Sequence, residues 1–285
     1  MKKLKIAVQK SGRLSEKSIQ LLNDCNIKLT NGNRKLISIS SNFPIEVLFL
    51  RDDDIPQYVN DSVVDIGIVG ENEYMEKNYS LSIYERLGFA KCRLSLAIPK
   101  SEEYKSLDYF QNKKIATSYP FILQSFLSLN KVNAEIHKIS GSVEISPSIG
   151  LGDGIFDIVS SGSTLISNGL KEVEKVMDSE AIIIGRENLP KEKASILNQL
   201  LFRIRSLQEA KLNKYILLNA PEESLKEIKE IIPGMKSPTV LPLAEKGWFS
   251  LHSVVNEEAF WEIIGQLKNA GAQGILVIPI EKMII

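Results

Sequence analysis

The segment Asp157-Ile158-Val159-Ser160-Ser161-Gly162-Ser163-Thr164-Leu165 joins an apolar strand-like run to a small-residue turn and a helix start. Backbone N–H groups at such a start point outward with partial positive charge. Gly162 permits close approach, and the hydroxyls of Ser160, Ser161, Ser163 and Thr164 add donors. A phosphate monoester fits this chemistry without a lysine, and Asp157, just before the turn, suits the hydroxyls of a sugar. The same residues also read as an ordinary helix cap with serine turns.

Upstream, Gly141-Ser142-Val143-Glu144 closes another strand-like segment. A carboxylate such as Glu144 beside a polyphosphate implies magnesium, a hard cation that combines one or two carboxylates with phosphate oxygens and water. A solvated surface glutamate is the alternative. Lys10, Arg13, Arg51 and Arg93 stand at turn or strand-end positions and are candidate phosphate cations or plain surface charges. Arg51-Asp52-Asp53-Asp54-Ile55-Pro56 admits a metal reading or helix capping, with acids in a first turn. His137 and His252 are isolated in sequence, and no Ser/His/Asp or Cys/His constellation supports hydrolytic nucleophiles.

The elements that must position these groups occur twice. Lys5-Ile6-Ala7-Val8 enters a Gly12-containing turn and a helix with Ile19, Leu22 and Cys25, and Asp65-Ile66-Gly67-Ile68-Val69-Gly70 follows as a buried strand. Lys114-Ile115-Ala116-Thr117 repeats the layout with a turn at Ser118-Tyr119-Pro120, a helix with Ile122, Leu123 and Phe126, and the strand Phe156 to Val159. Strands alternating with helices predict open α/β sheets in two lobes, with ligands in a cleft beyond the carboxyl strand ends. After Ala181 to Ile184, a long helix places Ile196, Leu197, Leu200, Leu201, Ile204 and Leu207 on one side and returns toward the first lobe.

The tail reads βαββαβ, a ferredoxin-like order. It comprises strand 215–218, Pro221 in a helix first turn, a helix with Leu225 and Ile228 ending near Pro233, and a 239–243/248–254 hairpin. A helix capped by Asn256 and stopped at Gly271 then leads to strand 274–278. Lys+Arg and Asp+Glu are equal at 35 each, so no bulk field draws in nucleic acid or an anionic membrane. Two cysteines, Cys25 and Cys92, give no disulfide framework, and the N-terminus has neither signal-peptide nor membrane-span character. A cytoplasmic protein is expected.

Over its whole length the chain resembles the long-form ATP phosphoribosyltransferase family, the first enzyme of histidine biosynthesis. The resemblance is carried by 9–14, 51–56, 65–72, 92–97, 115–120, 141–144, the serine loop and 278–283 in order. It implies an α/β fold with a two-lobed, periplasmic-binding-protein-like catalytic core: lobe I at 1–93, completed by 182–212, and lobe II at 94–181. A ferredoxin-like regulatory domain at 213–285 follows. The implied reaction joins adenine N1 of ATP to C1 of phosphoribosyl pyrophosphate and releases pyrophosphate, with magnesium as cofactor.

By the same resemblance, Ser160, Ser161, Gly162, Ser163 and Thr164 hold the 5-phosphate and Asp157 the ribose hydroxyls. Glu144 faces the magnesium-pyrophosphate side, making Glu144 and Asp157 the catalytic acids. Lys10, Gly12, Arg13, Arg93 and Tyr119 line the nucleotide side. Asn219, Thr239 and Gly274 are implied contacts for histidine, a feedback inhibitor acting on a hexamer that interchanges with dimers. Two departures stand out: Ser163 replaces an arginine of some relatives, and Gly152-Asp153-Gly154 replaces flanking alanines, which would loosen the approach to Asp157. The competing reading is a non-catalytic two-lobed ligand binder. The missing export signal, the absence of a helix-turn-helix segment and the acids beside the loop weigh against it.

Overall fold

The computed structural model describes residues 2–30, 36–232, 234–235 and 237–285. The chain divides into two units, Met1–Leu197 and Asn198–Ile285.

The first unit begins with β1 (Leu4–Gln9), α1 (Arg13–Asp24), β2 (Ile37–Ile39), β3 (Ile45–Leu50), α2 (Ile55–Asn60), β4 (Ile66–Gly70), α3 (Glu71–Lys77) and β5 (Ser82–Arg86). It continues through β6 (Cys92–Pro99), β7 (Lys114–Thr117), α4 (Pro120–Leu129), β8 (Glu135–Lys138), β9 (Gly154–Val159), α5 (Ser163–Ser167), β10 (Leu170–Ser179) and β11 (Ala181–Gly185). Two mixed sheets result, ordered β2-β3-β1-β4-β11-β5 and β10-β6-β9-β7-β8. The two similar halves of the sequence occupy equivalent places, since β1 lies parallel to β4 in one sheet and β7 parallel to β9 in the other. Both strand-to-turn junctions therefore open at carboxyl strand ends, where open α/β sheets bind ligands.

Continuous apolar runs mark the inner strands: Ile66, Ile68 and Val69 of β4 and Ala181 to Ile184 of β11 are buried on both faces. On α1, the expected Leu22 and Cys25 are buried and Ile19 is half-buried, with Leu21 and Ser18 buried beside them. Asp65 lies just before β4, its carboxylate accepting from Lys193 Nζ and the Lys5 N–H, all at 2.8 Å. The second sheet packs its core around Phe110, Phe156, Leu94, Leu96, Ile115 and Leu123.

Helix α6 (Lys191–Leu212) carries the chain from one unit into the next, and its predicted apolar residues from Ile196 to Leu207 are buried. The second unit then runs β12 (Asn213–Pro221), α7 (Leu225–Ile231), β13 (Thr239–Pro242), β14 (Trp248–Asn256), α8 (Glu257–Asn269) and β15 (Gln273–Pro279). Its antiparallel sheet has the order β13-β14-β12-β15, the ferredoxin-like arrangement. Asn256 caps α8, its Oδ1 accepting Glu258 N–H at 2.9 Å.

Pro221 corrects one expectation. It ends β12 opposite Trp248, with φ −70° and ψ 155°, and a short 3-10 turn at Glu222–Ser224 intervenes before α7. Proline's fixed φ suits an extended strand end as well as a helix start, and the ladder to β14 decides between them. The expected end of α7 near Pro233 falls on a residue outside those described. No helix among the described residues is long and apolar enough to cross a membrane.

Candidate functional site

Strand β9 brings Asp157 to the carboxyl edge of the second sheet, paired with Ser95 of β6. Alternation puts its neighbour Phe156 into the core and Asp157 on the other face. Burial pushes the Asp157 carboxyl up to about 6, against the Ile158 N–H it accepts at 2.8 Å, and the Glu144 charge pushes it further. Glu144, half-buried on the 3-10 turn Val143–Ile145, is thus a near neighbour of Asp157 although thirteen positions earlier in the chain.

After Val159 the chain turns through exposed Ser160 and Ser161 to Gly162, whose φ of 79° starts α5 in a conformation that favours glycine. Ser161 and Ser163 hydroxyls lie 2.9 Å apart, the Ser163 N–H donates to Ser161 Oγ at 3.4 Å, and Thr164 is exposed beside them. The glycines before β9 do not loosen it. A Cβ at Gly154 would lie 3.1 Å from Ala97 O and from the Phe110 ring, so the small residue allows tight packing. Asp153 and Lys114 also exchange two bonds at 2.7 and 2.8 Å, pinning the strand entrance.

Arg93 is not a free cation. Glu172 of β10 accepts from its Nε and Nη2 at 2.6 and 2.5 Å, Ser95 Oγ donates to the same carboxylate at 2.7 Å, and Arg93 Nη1 donates to Ser160 O at 3.3 Å. The arginine thereby ties the serine turn to the sheet and holds the Glu172 carboxyl below its ordinary range. Glu172 escaped the sequence reading because β10 gives no local signal of a partner in β6.

Tyr119 is also engaged. Buried at the start of α4, it donates to Glu73 Oε1 at 2.8 Å and accepts from Asn72 Nδ2 at 3.1 Å. Burial, the Glu73 charge and hydrogen bond, and the Asp157 charge all push the Tyr119 hydroxyl upward. Glu73 itself is pushed up to about 7 by burial; Tyr119 opposes this, and the charges of Asp52 and Asp53 add to it. Asn72 was visible only as the last residue of the block 65–72, with no role attached, and Glu73 lay just outside it.

Lys10, Gly12 and Arg13 form the β1–α1 turn, where Gly12 precedes the helix with φ 94° and an open groove of about 500 Å³ is lined by Lys10, Ser11, Gly12, Ser15 and Glu16 among others. Adjacent Gln9 donates to Asp52 at 3.1 Å. Asp52–Asp54 form the first turn of a 3-10 helix entering α2, and Arg51 pairs with Asp53, so the acids sit in a first turn as expected but none of them makes a side-chain cap hydrogen bond. Among the described residues, no group of three or more His, Cys, Asp or Glu side chains is gathered for a metal.

In the second unit, Asn219 faces Ser250 on β14 and Gln273 on β15, and a Cβ at Gly274 would lie 3.5 Å from Asn219 Nδ2. Thr239 lies across β14, paired with His252, which in turn bonds Tyr215 Oη at 2.7 Å and Ser250 Oγ at 3.1 Å. Asn219 and Gly274 are thus adjacent, while Thr239 approaches from the far side of β14.

Comparison with known proteins matches this layout. The ATP phosphoribosyltransferase (HisG) family covers residues 51–206, and the HisG C-terminal domain covers 210–282. The ATP phosphoribosyltransferase of Bacteroides thetaiotaomicron is 61% identical over 282 residues, spanning 99% of this chain and 100% of its own. That of Cytophaga hutchinsonii is 56% identical over 281 residues, covering 99% and 98%. Among solved structures, the ATP phosphoribosyl transferase (HisG:HisZ) complex from Thermotoga maritima superposes with a TM-score of 0.61 at 27% identity, over 71% of this chain and 98% of that one. The arginine-bound Tv2483 shares the fold alone, at TM-score 0.50 and 15% identity over 74% and 86% of the two chains. With a two-lobed α/β core of periplasmic-binding-protein type and a ferredoxin-like C-terminal unit, the chain belongs to the ATP phosphoribosyltransferase family.

Proposed function

We propose that the chain transfers the phosphoribosyl group of phosphoribosyl pyrophosphate to adenine N1 of ATP, giving phosphoribosyl-ATP and pyrophosphate in the first step of histidine biosynthesis. The observation that carries this reading is the serine turn at the end of β9, with the half-buried Asp157 at its base and the charge of Glu144 acting on it. The turn from Ser160 to Thr164 takes the 5-phosphate, through backbone N–H groups and hydroxyls. Asp157 accepts the ribose hydroxyls beside the reacting C1. Lys10, Gly12 and Arg13 take the nucleotide, and Arg93 and Tyr119, whose polar ends are bound by Glu172 and Glu73, border it.

The two acids fit a substrate-borne magnesium ion. Their like charges already oppose one another in the free protein, and a hard cation accepts one or two carboxylates together with phosphate oxygens. Glu144, and Asp157 beside it, would face it. When bound, magnesium neutralises charge on the departing pyrophosphate. The protein's part is alignment: substitution at an oxocarbenium-like carbon depends on placing N1 in line with the leaving group more than on a strong base, so no catalytic histidine is needed. Asp157 is the form-sensitive group, because only its carboxylate stabilises positive charge developing at C1.

Histidine, bound by Asn219, Thr239 and Gly274, acts as feedback inhibitor by favouring a hexamer whose lobes cannot close productively, in exchange with dimers. The cytoplasm is the proposed site of action. Mixing the protein with ATP, phosphoribosyl pyrophosphate and magnesium tests the reading. Growth of the phosphoribosyl-ATP ultraviolet absorbance is expected, whereas saturable binding of either substrate without product would return the chain to a non-catalytic binder.

A further inference from the structure

Helix α3 directs three side chains of the first sheet's layer at one place on the second sheet's layer. Asn72 Nδ2 donates to Tyr119 Oη at 3.1 Å, Tyr119 donates to Glu73 at 2.8 Å, and the Glu76 carboxylate accepts Phe121 N–H at 3.0 and 3.1 Å and Ile122 N–H at 3.1 Å. Phe121 and Ile122 open α4, whose first N–H groups have no partner within their own helix. Glu76 therefore caps a helix of the opposite layer, where the helix dipole favours a negative charge.

The other end of this arrangement is fixed where the chain crosses between sheets. Ser179 is the last residue of β10, and Glu180 alone separates it from β11 in the other sheet. Asn72 N–H donates to Ser179 Oγ at 3.1 Å, and that hydroxyl donates back to Asn72 Oδ1 at 2.9 Å. The remaining crossing, from β5 to β6, is braced by Arg86 against Glu71 and Glu180.

We propose that Asn72, Glu73 and Glu76 form a clasp on Tyr119, Phe121 and Ile122 that holds the two sheets of the first unit closed beside Asp157, and that proton loss from Glu73 opens it. The groups facing Glu73 are Asp52 and Asp53 from the 3-10 turn, Lys77 from its own helix and Tyr119 from α4, with Asp157 of β9 acting on Tyr119. Glu76 faces Lys138 of β8 and Lys77 besides the two amides.

Burial, the leading influence, lifts Glu73 from 4.5 to about 7. Opening returns water to Glu73 and restores its ordinary value, so the closed form binds this proton more tightly, while Glu76 stays held to the α4 amides as the anchor of the clasp. Closure is thus favoured fully below 4.5, and the advantage disappears as pH rises through about 7. Glu73 alone lowers the closed-to-open ratio about tenfold between about pH 6 and about pH 8.

The test is a distance, so its outcome is separate from whether the chain catalyses phosphoribosyl transfer. Spin labels are placed on the full-length chain at Lys17→Cys on α1 and Ser128→Cys on α4, both exposed, in a Cys92→Ser background; Cys25 is buried and stays unlabelled. Double electron–electron resonance, with labelled chains diluted in unlabelled ones, is expected to show the longer distance gaining about tenfold over the shorter across that pH interval. Glu73→Gln, which keeps an acceptor for Tyr119 but no charge, is expected to lose most of this response. Tyr119→Phe is expected to move its midpoint to higher pH, since the tyrosine bond holds Glu73 down; a tyrosine that only fills space would leave the midpoint in place. A distance independent of pH in the parent chain, or a full response in Glu73→Gln, overturns the clasp.

Discussion

Asp157 is costly where it stands. Its carboxyl is lifted from 3.8 to about 6, chiefly by burial, so it stabilises the fold below 3.8 and that contribution is lost as pH rises through about 6. Allowing for partial exposure, the ionised form costs of the order of 2 kcal/mol at neutral pH. Asp157→Asn is therefore expected to raise the urea midpoint at pH 8, an unusual direction for a substitution at a buried charge, and to cut turnover by about 100-fold. If the carboxylate is the working form, kcat/KM in the parent falls tenfold per pH unit below about 6, which a pH–rate profile will show. The serine turn and both acids were legible because small residues, glycine and carboxylates carry local signals. Glu172 and Glu73 were not, since their importance arises from partners 79 and 46 positions away.

At the scale of elements, hydrophobic periodicity located strands and helices well because each buries a face, as the runs at β4, β11 and α6 demonstrate. Pro221 was misplaced because its φ satisfies both a strand end and a helix start, and only pairing to Trp248 distinguishes them. Inter-element ties were invisible for the same reason. Glu76 is one, and Glu76→Ala is expected to lower unfolding free energy by about 1 kcal/mol, the worth of a helix cap, in equilibrium urea denaturation. Arg93 is another. Because it bonds Glu172 and Ser160 O together, Arg93→Ala is expected to raise the KM for phosphoribosyl pyrophosphate about tenfold by freeing the serine turn, measured at saturating ATP; an unaltered KM would place the arginine outside the site's support.

On the scale of the whole molecule, the chain falls into two units that part within α6, Met1–Leu197 and Asn198–Ile285, and the change of rhythm after residue 213 made the ferredoxin-like sheet of the second unit readable. The regulatory assignment makes its own demand. Asn219 and Gly274 are adjacent, so Asn219→Ala is expected to raise the histidine concentration for half-inhibition about tenfold, and inhibition equal to the parent's would move the effector site elsewhere. Everything else depends on the first unit performing the transfer at the serine turn. The direct measurement is the initial rate of phosphoribosyl-ATP formation by the parent and by Asp157→Asn, side by side, with ATP, phosphoribosyl pyrophosphate and magnesium. The account predicts product from the parent and about 100-fold less from the variant; equal rates from both, or no product from a parent that binds its substrates, would contradict it.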